Sequence, residues 1–155
     1  MRFSFLVLMA VALSATVARA EMKWTASSRP YLEARSTDSE SDASFRALCR
    51  SPAAIELRVG AHEGVGKGKG DAVTLRLSSN GHQAVLHGAS RRSDDYEMTS
   101  GTELVTEIKP SDAVFTLLGS GKDVTITGSL AKPVTWRAEN MADAVKSFLT
   151  ACQGP

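Results

Sequence analysis

Apolar and polar residues alternate with a period of two along most of this chain and change to a period of 3.6 only near its end. Met141, Ala144, Val145, Phe148, Leu149 and Cys152 recur at the spacings of one helical face, while Asp143, Lys146, Ser147 and Thr150 take the other. This predicts a helix over 141–152. Asn140 is placed to cap it with a side-chain oxygen, and Asp143 puts a negative charge in the first turn, where the helix dipole favours it. Upstream the alternation predicts strands. Met22, Trp24 and Ala26 oppose Lys23 and Thr25; a short strand runs from Tyr31 to Arg35; Phe45, Ala47 and Cys49 oppose Arg46, Leu48 and Arg50. Ile55, Leu57 and Val59 alternate with Glu56 and Arg58, and Val73, Leu75 and Leu77 with Thr74, Arg76 and Ser78.

Turn chemistry separates these runs. Ser51-Pro52 predicts a hairpin between the strands around Cys49 and Ile55. Asn80-Gly81, two residues that tolerate positive φ, predicts another, with a return strand from His82 to His87. Ser36 to Asp42 lacks any apolar residue and reads as a mobile surface loop, and Gly88 to Thr102 as a loop or weak edge. Glu103 to Ile108 forms a further strand; Ser111-Asp112 caps a short helix over Ala113 to Leu118, stopped by Gly119. Val124 and Ile126 mark one more strand, and Val134 and Trp136 the last, with Pro133 at its start. The predicted class is mainly β (α+β): an antiparallel sheet forming a sandwich or partial barrel, with a short helix near 111–118 and a C-terminal helix over 141–152. Trp24 and Trp136, on the apolar sides of their strands, are expected in its core.

The first twenty residues depart from this pattern. Arg2 precedes an apolar core from Phe3 to Leu13, and Ala18-Arg19-Ala20 is the small-x-small site at which a signal peptidase cuts. Residues 1–20 therefore read as a signal peptide and 21–155 as a single exported domain, periplasmic or secreted. No later run approaches the roughly 20 apolar residues of a membrane helix. Loss of Arg2 and Arg19 turns 18 basic and 17 acidic residues into a mature net charge of −1. That balance leaves no basic footprint for nucleic acid. Two cysteines in an oxidising compartment predict one disulfide, Cys49 to Cys152, since neither sits in a C-x-x-C pair.

Motifs that carry chemistry are sparse. Gly60 to Asp71 holds Gly66-Lys67-Gly68-Lys69-Gly70, but no Ser or Thr follows either Gly-Lys, so it is no magnesium-holding phosphate loop. It reads as a flexible hairpin loop joining the strands at Val59 and Val73, in which Lys67 and Lys69 could meet an anionic partner. His62, His82 and His87 are the histidines from which a zinc site could be made, but His82 and His87 lie an odd number of residues apart on one strand and project to opposite faces, which argues against it. Gly88-Ala89-Ser90-Arg91-Arg92 lacks the closing glycine of a nucleophile elbow. Asp94, Asp95 and Glu97 form the one carboxylate cluster from which a hydrolase could be built, beside Arg91 and Arg92. No catalytic residue, metal ligand or cofactor is assigned.

Trp24, the strand Phe45-Arg46-Ala47-Leu48-Cys49 and the tail from Val134-Thr135-Trp136 through Ala144-Val145-Lys146-Ser147-Phe148-Leu149 to Cys152 resemble the small periplasmic proteins of the invasion-associated locus B type. In such proteins a strand, a turn often carrying glycine, an alanine-rich helix and a final cysteine follow in that order. Here Asn140 stands in the place of that glycine, and the second cysteine pair of some members is absent. The resemblance implies a β-rich periplasmic domain. The functional expectation is a non-enzymatic accessory or binding protein that meets an unknown protein or an anionic polymer in the periplasm. Lys67, Lys69, Arg91 and Arg92 are its candidate binding residues. The alternatives are a hydrolase using the carboxylate cluster and an inhibitor that inserts a loop into another enzyme.

Overall fold

The structure is a computed structural model that describes residues 18–27, 30–37, 44–60 and 64–154, with the side chains of 18–20 excepted. Most of the expected leader, the acidic loop at 38–42 and His62 lie outside the described residues. In chain order the elements are β1 (Ala18–Ala20), β2 (Met22–Ser27), β3 (Tyr31–Ser36), β4 (Phe45–Ser51), β5 (Ala54–Gly60), β6 (Lys69–Ser79) and β7 (His82–Arg92). There follow α1 (Tyr96–Thr99), β8 (Thr102–Ile108), α2 (Ala113–Gly119), β9 (Val124–Gly128), β10 (Val134–Trp136) and α3 (Met141–Gln153).

The strands form one sheet in the order β1-β10-β9-β6-β7-β8-β5-β4-β3-β2. Nine of them, from β10 to β2, pair antiparallel throughout and curl into a near-barrel, so the barrel alternative holds over the sandwich. Nine is odd, and strands that alternate in direction cannot close a ring of odd number. The two outer strands therefore run the same way, and the pair that joins them must be parallel. That pair is β1 on β10, with Ala18 opposite Val134, Arg19 opposite Thr135 and Ala20 opposite Trp136. Glu21 alone separates β1 from β2, so one run of chain pairs first with β10 and then with β3.

The alternation read from the sequence fills the interior. Met22, Trp24, Leu32, Ala34, Phe45, Ala47, Ile55, Leu57 and Val59 are buried, as are Val73, Leu75, Leu77, Leu86, Leu104, Val124 and Ile126 from the other wall. Trp24, Phe45 and Trp136 form a three-ring cluster with centroids 5.2–5.8 Å apart, two of the three contacts edge-on. α3 buries Met141, Val145, Phe148 and Cys152 against β2, β3 and β4, and α2 packs on α3, β6 and β7. The expected disulfide is present: Cys152 joins Cys49 across 103 residues, with Cα atoms 5.6 Å apart. No helix among the described residues is long and apolar enough to cross a membrane.

Four local expectations change. Asn140 makes no side-chain cap; its backbone is left-handed at φ 58°, a conformation that asparagine tolerates better than most residues. Asp112 does cap α2, accepting from the Val114 N–H at 3.0 Å, but the helix continues one residue further, through Gly119. β7 does not end at His87 but runs to Arg92, because Ala89, Ser90 and Arg91 pair with β8 on their second side. Finally, β5 pairs with β8 and not with β6, so β5 and β6 do not form a hairpin; of the chain that crosses between them, residues 64–68 are described.

Candidate functional site

The crossing ends in a built turn where glycine content predicts flexibility. Val65 is fully buried; its N–H donates to the Thr102 carbonyl at 3.1 Å and the Thr102 Oγ1 at 2.8 Å. The Gly66 N–H donates to the Ser129 carbonyl at 3.3 Å, and the Gly68 N–H to Ser90 Oγ at 2.8 Å, while the Ser90 hydroxyl donates to the Val65 carbonyl. The N–H groups of Lys67 and Lys69 donate to the Asp71 carboxylate at 3.0–3.3 Å. These bonds, that of Lys67 foremost, hold the Asp71 carboxyl below its usual value. The backbone donors that could cradle an external anion are therefore taken by an internal one. What the turn offers instead is side chains: Lys67 and Lys69 both point into solvent from a fixed backbone.

Gly66 shows why the turn needs glycine. Its φ is 67°, and a Cβ there would stand 2.6 Å from an Asp71 oxygen, 2.7 Å from Val73 and 2.9 Å from Ser90. Gly66→Ala is expected to lower stability by roughly 1–3 kcal/mol. Urea unfolding checks this, with Gly81→Ala as a control that shares the positive φ but meets no atom within 4 Å.

Register brings the other two candidate cations to the same place. A bulge in β6 sets Lys69 directly opposite Arg91, and Gly68 lies beside the backbone of Arg92. Arg92 holds its guanidinium 4.2 Å above the Tyr96 ring, a cation–π contact that fixes its direction. Lys67, Lys69, Arg91 and Arg92 thus form an exposed basic rim around the start of β6 and the end of β7. No family model, curated protein or solved structure matches this chain. Its chemistry must be read from the residues themselves.

Of the carboxylate cluster, Asp94 and Glu97 are exposed and Asp95 is half-buried. Asp94 is about two-thirds exposed and lies between two arginines, 2.5 Å from Arg46 and 3.1 Å from Arg58, and it shares Arg58 with Glu103. Glu97 lies on the exposed one-turn helix α1. A groove of about 410 Å³ lies elsewhere, between Phe115 on α2 and Val145, Lys146 and Leu149 on α3. His82 and His87 lie at opposite-facing positions of β7 as expected, and His87 Nδ1 is 3.1 Å from the Thr74 hydroxyl. Among the described residues no group of three His, Cys, Asp or Glu is disposed to hold a metal.

A network of charges that sequence patterning does not reveal lies beneath Asp94. Arg46 and Arg58 are direct cross-strand neighbours on β4 and β5, a like-charge pair that needs anions between its members. Asp94 supplies one. Glu103, with only 3% of its side chain exposed, lies 3.3 Å from Arg58, and Glu56 bridges Arg58 at 2.8 Å and Arg50 at 2.5 Å. The outward positions of Arg46, Arg58 and Glu103 were visible as polar alternation, which reads as a solvated face; the turn carrying Asp94 buries it. Burial pushes the Glu103 carboxyl above its usual value, against Arg46 and Arg58 and with the help of Asp94. The Arg50 hydrogen bond holds Glu56 low, and bonds from Arg35 and Tyr31 hold Glu33 low despite burial. Tyr31 is pushed up to about 12, first by burial and then by its bond to Glu33.

These shifts act with opposite signs. The stability that Glu103 contributes is present below the ordinary glutamate value of about 4.3 and is lost as pH rises through its higher folded value. That of Glu33 and Glu56 is present above the ordinary value and is lost as pH falls through their lower ones. Glu103→Gln removes only the first. Its stability relative to the natural chain should therefore improve as pH rises above about 4.3 and level off once the pH has passed the folded value of Glu103. Urea titrations across that range check it, and a pH-independent difference would contradict it.

Proposed function

We propose that the chain is an exported, non-enzymatic binding protein that holds an anionic polymer against the rim of Lys67, Lys69, Arg91 and Arg92. The observation that carries this reading is the locked turn. Its backbone is tied to Thr102, Ser129, Ser90 and Asp71, so two lysines project from a fixed support beside two arginines. Cations already held in place lose less freedom on meeting a charged chain than cations on a floppy loop. The leader pattern, the disulfide and the resemblance to small periplasmic proteins support export to an oxidising compartment. Against insertion into an enzyme cleft, residues 64–68 are laid against β7 and β8 and do not project.

The test is retention on an immobilised polyuronate across a salt series. The natural chain should bind at low salt and elute as ionic strength rises, because exposed charges are screened. A variant with Lys67→Gln, Lys69→Gln, Arg91→Gln and Arg92→Gln should bind at least ~10-fold more weakly while its unfolding midpoint stays within about 0.5 kcal/mol of the parent. Equal retention of both would remove the rim from the function.

A further inference from the structure

The segment that completes the barrel is the end of the expected leader. Residues 18–20 pair with β10, and cleavage after Ala20 takes them away. Resting on the export reading above, we propose that processing opens the free edge of β10 and that the exported chain then takes up an extended peptide segment of a partner protein, running parallel to β10 in the place vacated by residues 18–20.

Three observations place the opening there. β10 pairs with β9 on one side and with β1 on the other, so loss of β1 leaves one row of its backbone donors and acceptors unpaired, and such a row is a template for an added strand. The opposite lip is held separately: β2 is paired with β3 along its length and packed by α3, which the disulfide fixes to β4. The seat itself persists without β1. The Trp136 ring is buried against Trp24 and Phe45, and Thr135 shares a 3.0 Å hydrogen bond with Thr125 of β9. The indole N–H of Trp24, at the same seam, is buried with no acceptor. The direction of the guest follows from β1, which runs parallel to β10 in the seat that it leaves. Its composition follows from the register, which sets Ala18 and Ala20 opposite Val134 and Trp136: small residues at alternate positions.

The experiment uses the chain as recovered after export, its N-terminus fixed by intact mass. The probe is the acetylated peptide Ser14-Ala15-Thr16-Val17-Ala18-Arg19-Ala20, together with two versions, one N-methylated at Arg19 and one at Ala18 and Ala20. Alternate amides of a strand point to opposite sides, so one methylated version should bind at least ~10-fold more weakly and the other should bind like the parent. Saturable amide shifts and slowed hydrogen exchange at Val134–Trp136 are the expected readout. The proposal is overturned if those amides do not respond, if both methylated peptides bind like the parent, or if the exported chain still carries residues 18–20. The four-glutamine rim variant should bind the peptide unchanged, so a failed rim leaves this inference standing, and a failed peptide leaves the rim.

Discussion

Replacing Cys152 with serine is expected to lower the stability of the chain by roughly 2–5 kcal/mol, a large part of the 5–15 kcal/mol that a domain of this size has in total. The bridge spans 103 residues, and the entropy that a cross-link removes from the unfolded chain grows with loop length, reaching about 4.7 kcal/mol for a loop of this order. The native side adds little strain, since the Cα separation of 5.6 Å falls within the ordinary range for bridged cysteines. Met141, Val145 and Phe148 keep α3 docked through its apolar face, so the variant should fold, but with a lower urea midpoint. The oxidised chain, the reduced chain and the variant with both Cys49→Ser and Cys152→Ser should be compared. The last two should agree with each other and fall well below the first. Coincident midpoints for all three would mean that the unfolded chain gains nothing from release of the bridge.

Trp136→Ala should cost a similar amount, about 3–5 kcal/mol, for a different reason. The ring is 1% exposed and meets Trp24 at 5.8 Å and Phe45 at 5.8 Å, both edge-on, so truncation leaves a cavity and breaks two aromatic contacts. β10 has only three residues, and Trp136 is its main anchor in the core. Near-ultraviolet circular dichroism should lose the signal of the coupled rings, and urea unfolding should give the loss in stability. Trp136→Phe, which keeps an edge-on partner and part of the volume, should recover much of it. A loss under 1 kcal/mol for the alanine variant would show that the remaining side chains collapse into the space.

What the sequence made legible was local. The period of 3.6 after Met141, the Asn80-Gly81 turn with φ of 48° and 81°, and the Cys49–Cys152 pair each depend on residues whose pattern or number is informative alone. The pairing of β5 with β8 was not legible, because nothing near Ile55 specifies a partner some fifty residues away. β7 ran past its expected end because a strand paired on both sides can carry Ser90, Arg91 and Arg92 in a register that a single sequence does not display. The site divides in the same way. Lys67, Lys69, Arg91 and Arg92 were legible as exposed cations, but their meeting depends on the bulge before Ala72. Glycine in the 64–70 segment permits motion in an unfolded chain and close approach in a folded one; only Thr102, Ser90 and Ser129, distant in sequence, decide for the second.

The position of the disulfide also orders events in time. Synthesis from the N-terminus delivers Cys49 long before Cys152, and in the fold the two sulfurs meet where α3 docks beside β4. The sheet between them has to find its long-range pairings, a slow search for a topology of distant contacts. A bridge closed on the docked helix preserves the outcome of that search, whereas one closed earlier joins the ends of a chain whose strands are still unpaired.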